Sequence, residues 1–335
     1  MMKNTIRVRR FGLYAALLFL ALAHRSAAQV DSKLRHPTPS SGETNALVNL
    51  QQLLGDLKHT YRPGGLPARI RIQGEISDYW EKNQPKPEEV LAQIEATDAP
   101  EDYRIYFAHT LRNYIKRTRY TEQEANEAVD QMLAVVGKTD DSAFVRSEVA
   151  MVVADFDPTD KAVAAIAPLL EVEDDQVASR AVTALRKTGN LKAADALVDF
   201  VQKHEQLRTK KPMALLSALT VLSGHPDKGK AVIPIVKDEA VNAPNIQFFQ
   251  GTMMILSRAP SSVETVEAIV AATESATRFT GKDKDIAEAM GNNSLRRHEG
   301  LVNQLRKEPD ATTQELLRRT DRLLPDTASE KQEGR

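Results

Sequence analysis

The chain has 335 residues, of which 41% are hydrophobic and 27% are charged, enough for a sizeable core in one long domain or two ordinary ones. It contains no cysteine, which excludes disulfides, thiolate zinc sites, cysteine nucleophiles and a lipoprotein anchor. Its formal net charge is −1, and a chain without a basic excess is not expected to bind nucleic acid.

The first 28 residues have the order of a secretory signal peptide. Basic residues in MMKNTIRVRR precede the apolar run FGLYAALLFLALA, and Ser26, Ala27 and Ala28 place small residues at the cleavage site. The run is shorter than the roughly 17–25 residues that span a bilayer, which favours a cleaved signal over an uncleaved anchor. Arg9 and Arg10 leave a twin-arginine signal as an alternative. We predict cleavage after Ala28, a periplasmic or secreted bacterial protein, and no stable membrane insertion afterwards.

Cleavage changes the charge of the remaining chain. Residues 1–28 hold five Lys or Arg and no acidic residue, so their removal takes the formal net charge from −1 to −6. Residues 29–43, QVDSKLRHPTPSSGE, are polar and rich in Pro and Ser, which predicts a flexible leader. An exported chain of this kind without disulfides depends on packing alone for its stability.

Residues 44–86 are predicted to form an N-terminal helical cap. They begin with ETNALVNLQQLLGDLKHTY, whose leucines lie on one face of a helix, and RPGGLP then breaks that helix. The one tryptophan, Trp80, is interpreted as an apolar anchor of this cap, with a stacking platform for sugar as the alternative.

Residues 87–276 contain an internal repeat. Apolar residues at helical spacing recur three times at steps of roughly 32–34 residues, with shorter apolar helices between them, so each period is a pair of helices. The charged residues Asp141 and Asp175 suggest a competing register in which the first step is slightly longer. We adopt the apolar register because burial fixes the rotation of a helix. In the first step of this register, one set of residues repeats the spacing of another. The first set is Val145, Val149, Val152 and Val153, and the second is Val177, Ala181, Ala184 and Leu185.

Residues typical of helix ends occur along the chain. Thr121 with Glu124, and Ser261 with Glu264, have the spacing of a capping box. Glycines follow several apolar-periodic segments and prolines open others. No convincing alternating strand pattern occurs after the signal peptide. The sequence therefore predicts an all-α fold.

The repeat resembles the short bacterial form of the HEAT repeat, whose second helix begins Asp-x-x-x-Val-Arg. DDSAFVRSEVAMVV carries Asp141, Val145 and Arg146 in these places, and DAPEDYRIYFAHTL is similar, with Asp98, Tyr103 and Arg104. Residues 161–190 resemble a whole repeat, except at Ala178, where the family has arginine. The resemblance implies an α-α superhelix, a HEAT-like solenoid of about five helical hairpins, and a binding style rather than a reaction. The polar helices of residues 277–324 suit a C-terminal cap, and residues 325–335 a disordered tail.

One basic segment stands out in this acidic chain. YRIYFAHTLRNYIKRTRY, residues 103–120, has an apolar stripe and a basic edge at helical spacing. Either its cations extend over the core with their charges in water, or they bind an anion by paired hydrogen bonds. The candidate binding residues are Arg104, Arg112, Lys116, Arg119 and Arg146.

Signatures of catalysis are missing from the sequence. The seven histidines form no metal-binding pair at helical spacing, and no phosphate loop, Gly-x-Ser-x-Gly or His-Glu-x-x-His occurs, so we predict no metal and no cofactor. The acidic run EVEDD at 171–175 is interpreted as a solvated loop. We predict an exported, non-catalytic interaction scaffold that binds a protein partner or an anionic envelope component. The alternatives are a secreted α/α-type enzyme that uses loop carboxylates on polysaccharide and, third, a lyase related to HEAT-bearing bilin lyases.

Overall fold

The computed structural model describes residues 50–307 and 310–324, and every regular element within these ranges is a helix. This confirms the all-α prediction for the described chain. The predicted signal peptide, leader and tail lie outside the described residues, as do residues 44–49 of the predicted cap. None of the described helices is both long and apolar enough to cross a membrane.

The described chain contains seventeen α-helices. The first eight are α1 (Leu50–His59), α2 (Leu66–Lys82), α3 (Pro87–Glu95), α4 (Glu101–Lys116), α5 (Glu122–Gly137), α6 (Ala143–Val153), α7 (Asp160–Ile166, followed by a 3₁₀ helix over Ala167–Glu171) and α8 (Asp175–Thr188). The others are α9 (Leu191–Val201), α10 (His204–Lys210), α11 (Pro212–Ser223), α12 (Gly229–Val241), α13 (Ile246–Arg258), α14 (Val263–Ser275, followed by a 3₁₀ helix over Ala276–Arg278), α15 (Gly281–Arg297), α16 (Glu299–Lys307) and α17 (Ala311–Leu323).

The helices from α3 to α15 form pairs that stack in two rows. The pairs are α3 with α4, α5 with α6, α7 with α8, α9 with α11, α12 with α13, and α14 with α15. The second helices contact one another in the order α4, α6, α8, α11, α13 and α15. The first helices do the same, except that the extra helix α10 joins α9 to α12. A helix pair cannot bury both of its apolar faces alone, so each pair shares its core with the next.

The spacing of the second helices supports the apolar register. Helix α6 begins at Ala143 and helix α8 at Asp175, so their starts are separated by the apolar step and not by the longer charged one. Asp141 lies before α6, whereas Asp175 is the first residue of α8, so the two aspartates are not equivalent. The next second helices begin at Pro212 and Ile246, and the step that leads to Pro212 is the longer of the two because it contains α10. Insertions between helices therefore change the period without changing the stacking.

Local signals explain several helix ends. Thr121 forms the predicted capping box, because its hydroxyl accepts from the Glu124 amide at 3.3 Å while the Glu124 carboxylate accepts from the Thr121 amide at 2.8 Å. Gly189 ends α8 with φ at 63°, a left-handed conformation that glycine adopts without strain.

The second predicted capping box, Ser261 with Glu264, is wrong by one residue. Ser262 caps α14, with its hydroxyl accepting from the Thr265 amide at 3.2 Å. The Ser261 hydroxyl instead lies 2.8 Å from Nδ1 of the buried His298, at the end of α15. The buried imidazole needs a polar partner, which only the tertiary structure brings to Ser261.

Trp80 is an anchor of the N-terminal region. Its side chain is 1% exposed and meets the rings of Phe107 and Tyr114 edge-on, with centroid distances of 5.7 and 6.3 Å. An indole buried in this way offers no face on which a sugar can stack. The anchor interpretation is therefore confirmed and the sugar platform is wrong.

Candidate functional site

Arg104, the first of the predicted binding residues, lies inside the protein. Its side chain is 2% exposed, and its Nε donates to the carbonyl oxygen of Ile94 at 2.6 Å. Its two terminal nitrogens donate to the two carboxylate oxygens of Asp141 at 2.6 and 2.5 Å. The hydrogen bonds from Arg104 keep the pKa of Asp141 below its ordinary value. Arg104 therefore joins α4 to the start of α6 and does not face a ligand.

Arg146 has the equivalent place in the next pair. It is the fourth residue of α6, as Arg104 is of α4, and its Nε donates to the carbonyl of Val136 at 2.8 Å. Val136 is the next-to-last residue of α5, as Ile94 is of α3. Burial lowers the pKa of Arg146, which is 5% exposed. Arg104 and Arg146 thus stabilise helix packing. The prediction that they lie on a ligand-binding surface is wrong.

The third pair lacks this arginine but keeps the contact. The fourth residue of α8 is the buried Ala178, the position at which the sequence departs from the HEAT pattern. Lys211, just before α11, instead donates to the carbonyl of Leu170 at 2.7 Å. Leu170 is again the next-to-last residue of its helical segment. A buried cation from the following connection therefore replaces the missing arginine.

Arg119 lies beyond the end of α4, at its joint with α2. It contacts Glu81 on α2 at 2.9 Å, and the neighbouring Arg117 contacts the same carboxylate at 3.0 Å. These pairs are exposed, and such pairs contribute about 0–1 kcal/mol each. Arg119 thus contacts Glu81, whereas Arg112 and Lys116 contact a different carboxylate, that of Asp155.

Arg112 and Lys116 converge on Asp155, just beyond the end of α6. Arg112 Nε donates to the carboxylate, Lys116 Nζ lies 3.2 Å from it, and Lys187 of α8 donates to it at 2.7 Å. Burial alone raises the pKa of Asp155, but the hydrogen bonds from Lys187, Arg112 and Lys116 outweigh it and lower the pKa to about 2. The carboxylate therefore stays ionised at physiological pH.

A second ionic contact lies two turns earlier on α6. Arg180 of α8 donates from Nε to Glu148 at 2.5 Å and lies over the Phe144 ring, 4.4 Å from its centre. His109 of α4 lies 3.7 Å from the same carboxylate. Burial lowers the pKa of His109 despite the attraction of Glu148, so the imidazole is neutral at pH 7.

These contacts form one partly exposed surface on α4, α6 and α8, which we term the cationic face. It combines four cations with two carboxylates, a net charge of +2 with His109 neutral. Among the hydrogen bonds of the described chain, Arg112 and Arg180 use only Nε, which leaves their terminal nitrogens available for an incoming acceptor. The residues of the face are Arg112, Lys116, Arg180 and Lys187 with Glu148 and Asp155.

The sequence contains a charge pattern that predicts this face. Glu148 and Arg180 are 32 residues apart, and so are Asp155 and Lys187. That separation equals the apolar period between α6 and α8. Opposite charges one repeat apart on stacked helices are expected to meet, so the two cations of α8 are candidates that sequence reasoning missed.

The acidic run at 171–175 is largely exposed between two helices, as expected of a solvated loop, and three of its carboxylates also have partners in the described chain. Asp174 caps α8 by accepting from the amides of residues 176 and 177, and Asp175 accepts from the amides of Met213 and Ala214 at the start of α11. Glu171 pairs with Lys203 at 2.9 Å. Asp174 and Asp175 thus order the starts of α8 and α11.

One cluster of His and acidic residues has the composition of a metal site. His204 Nδ1 lies 2.7 Å from the fully buried Glu239, and Asp238 is adjacent. Arg208 donates to Glu239 at 2.9 and 2.7 Å and to Asp238 at 2.6 Å, so a metal ion would have to displace the guanidinium. The cluster holds the extra helix α10 against α12.

Two cavities lie beside Trp80. One, of about 190 Å³, is formed by α2 and α4 with Tyr106 and Asn113 in its lining, and the other, of about 260 Å³, lies between α1, α2 and α3. Both are smaller than the roughly 300–1,000 Å³ typical of small-molecule sites. The cationic face is therefore the better candidate for function.

The chain matches no protein-family model, no curated protein and no solved structure. Its function is accordingly inferred from the packing and the charge of the described residues.

Proposed function

We propose that the protein is an exported, non-catalytic scaffold that binds an acidic segment of a partner protein on the cationic face. One observation supports this proposal: four cations from two helices surround two carboxylates, and the terminal nitrogens of Arg112 and Arg180 have no hydrogen-bond partner in the described chain. Terminal guanidinium nitrogens form paired hydrogen bonds with carboxylates, the groups that an acidic segment supplies.

The internal carboxylates favour binding because they hold the cations in place. Arg112, Lys116 and Lys187 are all directed to Asp155, and Arg180 is directed to Glu148. Side chains that are already ordered lose less entropy when a ligand arrives, and this loss otherwise costs about 0.5–1.5 kcal/mol for each long side chain.

The same carboxylates favour a protein segment over a uniform polyanion. Glu148 and Asp155 lie among the cations and repel any ligand that carries a negative charge at every step, such as nucleic acid. A peptide places its carboxylates at separate positions and fits between them. The net negative charge of the whole chain also repels a uniform polyanion.

The stacking of helix pairs supports the further proposal that the chain is a HEAT-like α-solenoid. Second helices that contact one another in chain order build an extended surface of the kind that such proteins use for binding. Export to the periplasm or beyond is proposed from the sequence of residues 1–28 alone.

The binding proposal is tested with a fluorescein-labelled peptide of alternating glutamate and glycine, by fluorescence anisotropy at low and high salt. We expect weak binding that salt reduces, and a loss of at least about tenfold in the variant Arg112→Gln/Arg180→Gln. The matched control is Arg117→Gln/Arg119→Gln, which removes two exposed arginines at the joint between α2 and α4.

The control variant should bind like the unaltered protein. Equal binding by all three proteins would overturn the proposal, and so would equal loss in both variants, because the effect would then be one of overall charge. Release of sugar from polysaccharide by the unaltered protein would favour the enzyme alternative.

A further inference from the structure

The row of second helices continues from the cationic face into a surface without charge. Helix α11 contains no ionisable residue, and α13 contains only Arg258, its last residue. Two large apolar side chains of these helices are exposed, Met213 of α11 at 52% and Met254 of α13 at 45%. We term this surface the uncharged face; its residues are Leu216, Thr220, Val221, Gln250 and Met254.

Contacts between half-buried residues connect the two faces. The hydroxyls of Ser179 on α8 and Ser217 on α11 lie 3.3 Å apart. Leu216 of α11 packs so closely on Gly251 of α13 that a Cβ atom there would lie 2.9 Å from the leucine. Neighbouring second helices from α4 to α13 therefore contact one another along the row.

We propose that the partner segment is bipartite, with carboxylates that bind the cationic face and large apolar side chains that bind the uncharged face. This inference rests on the proposed function and adds the chemistry of the rest of the segment. Charge complementarity orients the acidic part. The apolar part covers Leu216 and Met254, and the flexible methionine side chain adapts to the shape of what it meets.

The stacking predicts the distance between the two parts. Three helix-to-helix steps lead from α6 through α8 and α11 to α13. Packed helices lie about 8–10 Å apart, so the span is roughly 24–30 Å. An extended chain advances about 3.3 Å per residue, which places the apolar group about seven to nine residues from the acidic group.

The test uses labelled synthetic peptides with a short glutamate run and a Leu-Leu-Phe group, joined by Gly-Ser spacers of differing length. We expect the peptide with a spacer of about eight residues to bind at least about tenfold more tightly than the glutamate run alone. A spacer of about two residues should give no gain, because it cannot reach both faces.

The variant Met254→Ser should reduce the affinity of the long-spacer peptide to that of the glutamate run and leave the glutamate run unaffected. Ile70→Ser is the matched control, since Ile70 is 59% exposed on α2, outside the row of second helices. It should bind every peptide as the unaltered protein does.

Failure of this inference differs from failure of the proposed function. If the glutamate run binds through Arg112 and Arg180 but neither spacer length nor Met254→Ser matters, the bipartite segment is wrong and the binding function stands. If no peptide binds, both the proposed function and the inference are wrong. If light scattering shows a dimer that Met254→Ser dissociates, a second copy covers the uncharged face and the inference is overturned.

Discussion

The two halves of the second-helix row differ in the contacts that accompany their apolar packing. Between α4, α6 and α8 the contacts include the buried Arg104 pair and the two ionic groups at Asp155 and Glu148. Between α11 and α13 the described contacts include no ion pair, and the leucines, phenylalanines and methionines of these helices make the core. An apolar core therefore runs through both halves, and the N-terminal half adds ionic contacts to it.

The difference has energetic consequences. A buried ion pair loses hydration, and removal of one partner leaves the other charge uncompensated. Apolar packing has no charge to lose and responds instead to the volume that a substitution leaves empty. Both halves should thus be sensitive to side-chain size, and the N-terminal half should also be sensitive to charge and pH.

The largest effect is expected from Arg104→Ala. The substitution leaves the Asp141 carboxylate and the Ile94 carbonyl without their buried donor, and breaking a buried pair costs about 3–5 kcal/mol. Chemical denaturation followed by circular dichroism gives the free energy of unfolding. Arg117→Ala, at an exposed arginine, is the control and should change it by less than about 1 kcal/mol. Equal values for the two variants would show that the internal pair does not stabilise the N-terminal half.

A somewhat smaller loss is expected from Leu219→Ala in the C-terminal half. Leu219 is 0% exposed on α11, and loss of a buried leucine costs about 2–5 kcal/mol. Because no charge is involved, the loss measured by denaturation should be the same at low and high salt. Met213→Ala, at an exposed methionine of the same helix, should have little effect. A strong salt dependence for Leu219→Ala would contradict the comparison between the halves.

The smallest of the three effects, and the one that depends on pH, is expected from Asp155→Asn. The folded pKa of Asp155 is about 2, below its ordinary 3.8, so the ionised group contributes stability above pH 4 that is lost as the pH falls towards 2. The contribution at pH 7 is about 2 kcal/mol. The variant should be less stable by about this amount at pH 7, and its stability should vary less between pH 4 and pH 2.

Asp130→Asn is the matched control for Asp155, because Asp130 forms a single exposed pair with Lys161. Its stability should follow that of the unaltered protein at every pH. An Asp155 variant with an unchanged pH profile would show that the three surrounding cations do not stabilise the folded state.

The basic segment, residues 103–120, shows how much of the site could be predicted from the sequence. The alternation of apolar and basic residues correctly indicated a helix over most of residues 103–120, now α4 with its end at Lys116. It did not distinguish Arg104, which is buried, from Arg112, which is 30% exposed, because both are arginines at helical spacing on the same helix. Their partners Asp141 and Asp155 are 37 and 43 residues away, and those separations follow no constant period.

The sequence by itself determined the helical class and the apolar step between α6 and α8, because burial along a helix follows from the local spacing of apolar residues. It also determined the Thr121 capping box, which involves only neighbours in the chain. The tertiary structure alone decided that Lys211 replaces an arginine at Leu170, that Ser262 and not Ser261 caps α14, and which cations remain at the surface. Each of these depends on groups that stacking brings together from distant parts of the chain, at separations that insertions such as α10 alter.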